Sequence, residues 1–368
     1  MTRWCRVACL LALLLAPWPV GTQSQEPLPG MPAVLDSKDV YAANRPGKLS
    51  PVVAGFPERV YVPNSGRNTV DVIDPHTFKI VDHFSVGREP QHVTPSYDLK
   101  NLWVLSDLGD SVTRIDPATG RKGETLDVKD PYNMYFTPDG QYAIVVAERL
   151  HRLDFRDAQT MKLVDSLVVP CRGVDHMDFS ANGRYLIASC EFSGEMVKVD
   201  VATHKLLGTL KLPGAHPMPQ DVRLTPDGSI FYVADMMSHG VHEIDGDSFK
   251  LVGFTPTGKG THGLYFSRDS KWLYVSNRDE GTISLIDVKT RKVSTKWTIP
   301  GGGSPDMGGV SADGKVLWLS GRYHAEVYAF DTTDGHLLAR IPVSKGPHGL
   351  CVYPQPGRYS LGHTGMMR

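Results

Sequence analysis

The stretch Phe136 to Glu148 reads FTPDGQYAIVVAE. It is the end of one half-buried strand, a tight turn at Pro-Asp-Gly, where Asp and Gly tolerate the required dihedrals, and a β-branched, aromatic returning strand suited to a mostly buried sheet. The same frame returns as FSANGRYLIASCE (179–191), LTPDGSIFYVADM (224–236), FSRDSKWLYVSNR (266–278) and VSADGKVLWLSGR (310–322). Degenerate copies stand at PSYDLKNLWVLSD (95–107) and FPERVYVPNS (56–65). The copies lie about 41 to 46 residues apart, the spacing of propeller blades.

After each returning strand comes a third strand ending in a hydrophobic residue followed by Asp: Ile73-Asp74, Ile115-Asp116, Leu153-Asp154, Val199-Asp200, Ile244-Asp245, Ile286-Asp287 and Phe330-Asp331. These aspartates read as structural, each carboxylate accepting backbone N–H groups of the next turn. A fourth strand then leads through a Gly/Pro loop to the next unit, so each unit is a four-stranded antiparallel blade. The segments YVPN (61–64), YVAD (232–235) and YVSN (274–277), with the TPDG turns and Ile-Asp pairs, resemble the YVTN-type β-propeller repeat family of exported and surface-layer-like bacterial proteins. The resemblance spans roughly residues 56 to 356 and implies the fold. It leaves function open, because similar propellers include binding proteins, haem carriers and dehydrogenase subunits.

Seven returning strands are present, but only six first strands precede the end of the repeats. The segment VSKGPHGLCVYP (343–354) supplies the seventh. The fold class expected is therefore all-β, a seven-bladed β-propeller closed by pairing of the C-terminal strand with the first blade. Such closure removes an exposed sheet edge.

Residues 1–24 contain two arginines, an apolar run of about a dozen residues and a small, polar stretch, the pattern of a secretory signal peptide cleaved near residues 22–25. A membrane span needs about 20 apolar residues, so none is expected, and the mature chain is read as soluble and secreted or periplasmic. Residues 25–55, rich in Pro and Gly, read as an arm or linker, 56–356 as the propeller and 357–368 as a C-terminal tail. The formal net charge of −1 favours neither nucleic acid nor anionic lipid as a partner. Of the cysteines that survive removal of the signal, Cys171 and Cys190 flank a predicted hairpin, and export makes a disulfide between them chemically possible.

First strands start, and second strands end, on one face of the ring, where the loops between blades also open. Aligning the first strands on their last apolar residue places Gln91, Tyr132, Asp175, Gln220, His262, Asp306 and His348 four residues back. Three residues back stand His92, Asn133, His176, Asp221, Gly263, Met307 and Gly349. Histidine thus stands at the channel entrance in four blades. His92, His176, His262 and His348 are the candidate metal ligands, with Asp175, Asp221 and Asp306 to complete or orient the set. Fe, Cu or haem are the cofactors this pattern points to. The two registers differ by one residue, and a one-residue shift turns a strand side chain to the opposite face, which argues against one flat four-histidine plane.

The plain alternative is a hydrated ring of polar residues that bind water and cap loops. Arg149, Arg278 and Arg322, just beyond the second strands, could hold an anion or simply be solvated; Cys190 could be a thiolate ligand or half of the disulfide. His76, His204 and His336 fall on the opposite face, where no role is expected. No GxSxG, HExxH, CxxCH or phosphate-binding Gly loop occurs in the required context. Two functions follow: a binding or scaffold protein taking a small molecule, metal or protein at its loop-rich face, or a metal-dependent redox or hydrolytic enzyme using the channel histidines.

Overall fold

The computed structural model describes residue 1 and residues 26–368; apart from its first residue, the expected signal segment lies outside the described residues. Seven four-stranded antiparallel sheets follow one another around a central channel. The strand Cys351–Tyr353 pairs with Arg59–Asn64, setting Tyr353 opposite Arg59, Val352 opposite Val60 and Cys351 opposite Tyr61. Blade 1 is thus assembled from both ends of the repeat region, and blades 2 to 7 follow in chain order.

Burial falls from the channel outwards. The innermost strands Pro90–Pro95, Pro131–Phe136, Val174–Phe179, Pro219–Leu224 and Pro305–Val310 are buried at every residue, whereas the outermost Lys205–Lys211 and Lys250–Pro256 alternate exposed and half-buried. Four of these inner strands open on proline, tolerated there because the first residue of a strand can do without a ladder N–H. Apolar side chains fill the space between neighbouring sheets. Tyr61, Val70 and Val72 of blade 1 meet Val93, Leu102, Val104 and Ile115 of blade 2, each large side chain contributing about 1.5–3 kcal/mol by leaving water.

The turn chemistry follows the repeat. Gly140, Gly183, Gly228 and Gly314 occupy one slot with φ between +71° and +81°, where a side chain would be strained. Asp74, Asp116, Asp200, Asp245, Asp287 and Asp331 each accept a backbone N–H two or three residues on. Blade 3 departs from the expected frame. There Asp157, three residues past the Leu153-Asp154 pair, caps the turn through Gln159 and Thr160, while Asp154 is fully buried beside Arg152 and Arg156.

Both segments outside the blades are packed against the ring. The arm crosses the face opposite the loop-rich one: Leu28 N–H donates to Asn182 O, Val40 N–H to Pro226 O and Tyr41 Oη to Leu224 O. Residues 357–368, expected as a tail, instead turn into the channel floor. Leu361 O accepts from Phe136 N–H, His363 N–H donates to Met134 O, and Arg368 Nη2 lies 2.8 Å from Asp178 Oδ1. The channel is therefore floored on one side and faces the interblade loops on the other. Cys171 and Cys190 form a disulfide, which removes Cys190 as a thiolate ligand; Cys351 is free and buried. Among the described residues no helix is long and apolar enough to cross a membrane.

Candidate metal centre

Six of the seven inner strands, those of blades 2 to 7, break their pairing just inside the channel mouth. The register shifts between Pro90 and His92, Pro131 and Asn133, Val174 and Met177, Pro219 and Val222, Thr261 and Leu264, and Pro305 and Gly308. A bulge releases residues from strict alternation and re-aims their side chains. Consecutive positions then reach the same space: His348, from the outer register, has its ring centroid 4.8 Å from that of His92, from the inner one. The objection raised by the one-residue shift is met by two tiers rather than one plane.

The inner tier holds His92, His176 and a third histidine from the tail, His363, none of them exposed. One ring nitrogen from each lies within 4.8 Å of the others. Room for the cage comes from glycine: a Cβ at Gly349 would stand 2.1 Å from the His92 ring, and one at Gly362 would stand 2.4 Å from Met134 O. His92 Nδ1 donates to Tyr132 O at 2.9 Å, which leaves its Nε2 as a lone pair. Asn133 Oδ1 accepts from Met134 N–H at 2.8 Å, so its Nδ2 donates to Nδ1 of both His176 and His363 at 3.0 Å, which puts the protons of these two rings on Nε2; Tyr135 stacks on His363.

Nε2 of all three rings lacks a hydrogen-bond partner, as do both oxygens of fully buried Asp175. Asp175 Oδ1 stands 3.1 Å from His176 Nε2, outside hydrogen-bonding geometry, and Asp221 Oδ1 lies 3.8 Å from His363 Nε2. A buried unsatisfied polar atom costs about 1–3 kcal/mol, so this concentration calls for a bound species. Burial holds the imidazoles neutral, His92 down to about 4 and His176 and His363 well below the usual range. Burial, then the nearby Glu191 and Glu148 charges, raises Asp175; burial raises Asp221 to about 6 against the pull of Arg223. Neutral imidazoles beside buried carboxyls make this a candidate cation site, Asp221 being held by the N–H groups of Val222 and Leu264, and imidazole suits Fe, Cu, Zn or Ni.

The outer tier is more nearly satisfied: of its histidines only His262 keeps a buried ring nitrogen, Nδ1, without a hydrogen bond. Asp306 Oδ2 accepts from His348 Nδ1 at 2.7 Å, and Arg278 Nε reaches Asp306 Oδ1 at 2.9 Å. Burial works to raise Asp306, but Arg278, His262 and Arg322 outweigh it and hold the carboxyl low. His262 Nδ1 lies 3.1 Å from the same carboxylate. The four expected ligands are therefore split: His92 and His176 join the cage, whereas His262 and His348 lean on Asp306. Arg149 is taken by Asp130, at 2.7 Å, and by Asp107.

His363 escaped the sequence reading because it lies beyond the repeat, although its setting, Leu-Gly-His-Thr-Gly (361–365), is the glycine-flanked histidine that close backbone approach requires. A haem fits the cage poorly. The centroids of His176, His348, His363 and Tyr132 surround that of His92 at 4.8–5.4 Å, which leaves no slot for a macrocycle at this depth.

These features define a seven-bladed propeller with a floored channel and a histidine cage on its axis. The chain belongs to the YNCE-like beta-propeller family, whose profile matches residues 31–357. It is 21% identical over 262 residues to the uncharacterized protein YncE of Salmonella typhimurium, covering 67% of this chain and 73% of that one. A shorter match, 34% identical over 84 residues, covers 23% of this chain and 21% of protein NirF of Pseudomonas aeruginosa. Among solved structures, Kuenenia stuttgartiensis hydrazine synthase superposes with a TM-score of 0.65 at 18% identity, covering 77% of this chain and 97% of that one. Dihydro-heme d1 dehydrogenase NirN in complex with DHE gives 0.62 at 17%, covering 89% and 78%. At these identities the structures show a shared fold alone.

Proposed function

We propose that this protein is an exported metal-binding propeller that holds one first-row transition-metal ion, Fe or Cu foremost, on His92, His176 and His363. The observation that carries the reading is the meeting of three buried imidazoles whose Nε2 atoms have no partner. Asp175 and Asp221 would offset the ion's charge. Purified mature protein should contain, or take up, one ion per chain by elemental analysis and visible absorption, and His176→Ala should abolish it. A wild-type protein that stays metal-free after titration with Fe, Cu and Zn would overturn the reading. Export is tested by cell fractionation with and without residues 1–24.

The second reading is catalytic use of the ion, redox or hydrolytic. The Asp306–His348 pair favours it: with Nδ1 engaged by the carboxylate, Nε2 of His348 is a proton acceptor facing Tyr132 Oη at 3.4 Å, beside the cage. A haem role, suggested by the names of NirF and NirN, would have to be played at the mouth, and haem titration of the His176→Ala variant separates it from the cage.

A further inference from the structure

Arg322 begins just past the end of the second strand of blade 7, where its backbone N–H donates to Ser304 O. Its guanidinium Nη1 lies 3.4 Å from Oε1 of Gln91, at the inner-strand entrance of blade 2. The side chain therefore crosses blade 1, whose inner-strand entrance carries His348, and lies across the channel mouth. Arg149 and Arg278 are each held by carboxylates at 3.2 Å or less. Arg322 is half-buried and, among the described residues, makes no ion pair; the weak contact to the neutral Gln91 amide is its one side-chain hydrogen bond. A half-buried guanidinium with no carboxylate in direct contact, Asp306 acting on it only at longer range, has its fork of donors open to an anion.

The geometry points to a ligand: resting on the metal-site reading above, we infer that the space between the cage and Arg322 takes a small monoanion, an oxyanion or carboxylate of three or four atoms. The anion would sit on the mouth side of the ion, with Arg322 as its counter-charge. A small anion is the one that suits the place, since Gln91, Tyr132 and His348 around it are at most 8% exposed. The far rim does not oppose the charge at neutral pH to its full count: burial, then Glu191, raises Glu148 to about 8. After burial, Arg322 is the strongest influence on His348, which agrees with a guanidinium poised over the tiers.

The test uses full-length mature protein loaded with Cu²⁺ or Co²⁺, titrated with formate and with azide while the visible bands of the ion are recorded. Wild type should show a saturable spectral shift. Arg322→Met should weaken anion binding by roughly 10- to 100-fold and leave metal affinity unchanged; Arg322→Lys should recover part of the loss. Equal anion affinity in wild type and Arg322→Met, or no shift in a loaded wild type, overturns the inference while leaving the metal site standing. A wild type that never loads metal overturns both. Because Arg322 is half-exposed and packs no core, its substitution should leave thermal unfolding unmoved, and that measurement separates lost binding from lost fold.

Discussion

The two tiers of the channel use the same residue types, from different blades and the tail, and end in different states. In the outer tier Asp306 engages His348 and Arg278 and leans on His262, so charge and hydrogen bonds close on themselves. In the inner tier Nε2 of His92, His176 and His363 makes no hydrogen bond, and Asp175 makes none although its Oδ1 lies 3.1 Å from His176 Nε2. A polar cluster that satisfies itself stabilises a ring; one that does not is held open by the surrounding fold and is suited to bind. The contrast teaches that the count of histidines in a slot says less than where their second nitrogen goes.

The most drastic way to break the comparison is to remove residues 348–368, which takes away one histidine from each tier together with the closing strand and the channel floor. The truncated chain should lose cooperative thermal unfolding by circular dichroism; a melt like that of the whole chain would refute closure by the last strand. Next, single substitutions should separate the tiers. His176→Ala should weaken metal binding by at least about 100-fold, and His262→Ala by less than about 10-fold; equal losses by calorimetric titration would merge the two tiers into one site.

Asn133 sharpens the picture further, because its amide meets Nδ1 of both His176 and His363 and so sets both tautomers together. Its NH2 group faces them while Oδ1 accepts from Met134 N–H, so the protons sit on Nε2; freeing both Nε2 lone pairs for an ion moves those protons to Nδ1, which needs an acceptor at position 133. Asn133→Asp presents only acceptors and should hold or tighten metal affinity, whereas Asn133→Leu should weaken it about 10- to 100-fold. The same loss in both variants would make Asn133 a mere packing residue.

The smallest expected effect is on the pH dependence of the metal-free protein. His92 falls from the ordinary 6.5 to about 4 on folding. The unfolded state then binds more protons in that window, so stability is lost as pH drops from 6.5 towards 4. Glu148 rises from 4.5 to about 8, so the folded state keeps its proton and stability is lost as pH climbs through that range. The optimum should lie between, near pH 5 to 6.5, in contrast to a protein dominated by surface carboxylates. Glu148→Gln should make the alkaline decline shallower, the raised Asp107, Asp175 and Asp221 supplying the rest, and keep the acid one, read by chemical denaturation across pH; an unchanged alkaline limb would show that Glu148 does not contribute to it.

Much of this molecule was legible in the chain. The turn, the β-branched return and the Asp pair are local signals, and their spacing sets the number of blades. The closing role of Leu350 to Pro354 followed from counting strands. Local reading failed in blade 3, where Asp157 rather than Asp154 caps the turn: Asp157 stands in the same register as its sisters, but Arg156 precedes it in place of an apolar residue, and Leu153-Asp154 imitates the pair. It failed again at residues 357–368, which carry no repeat signature, and so His363 was passed over.

By itself the sequence determined seven blades, their closure and the slot in which histidines gather, since alternation and turn chemistry act over a few residues and repeat. Only the tertiary structure decided which histidines meet. Bulges turned two registers into one channel, and the tail brought His363 up from the floor to complete the cage. Arg322, too, was laid over the mouth by a contact between blades 7 and 2. Those decisions depend on contacts between residues far apart in the chain, where the energy of packing, not local preference, sets the direction of each side chain.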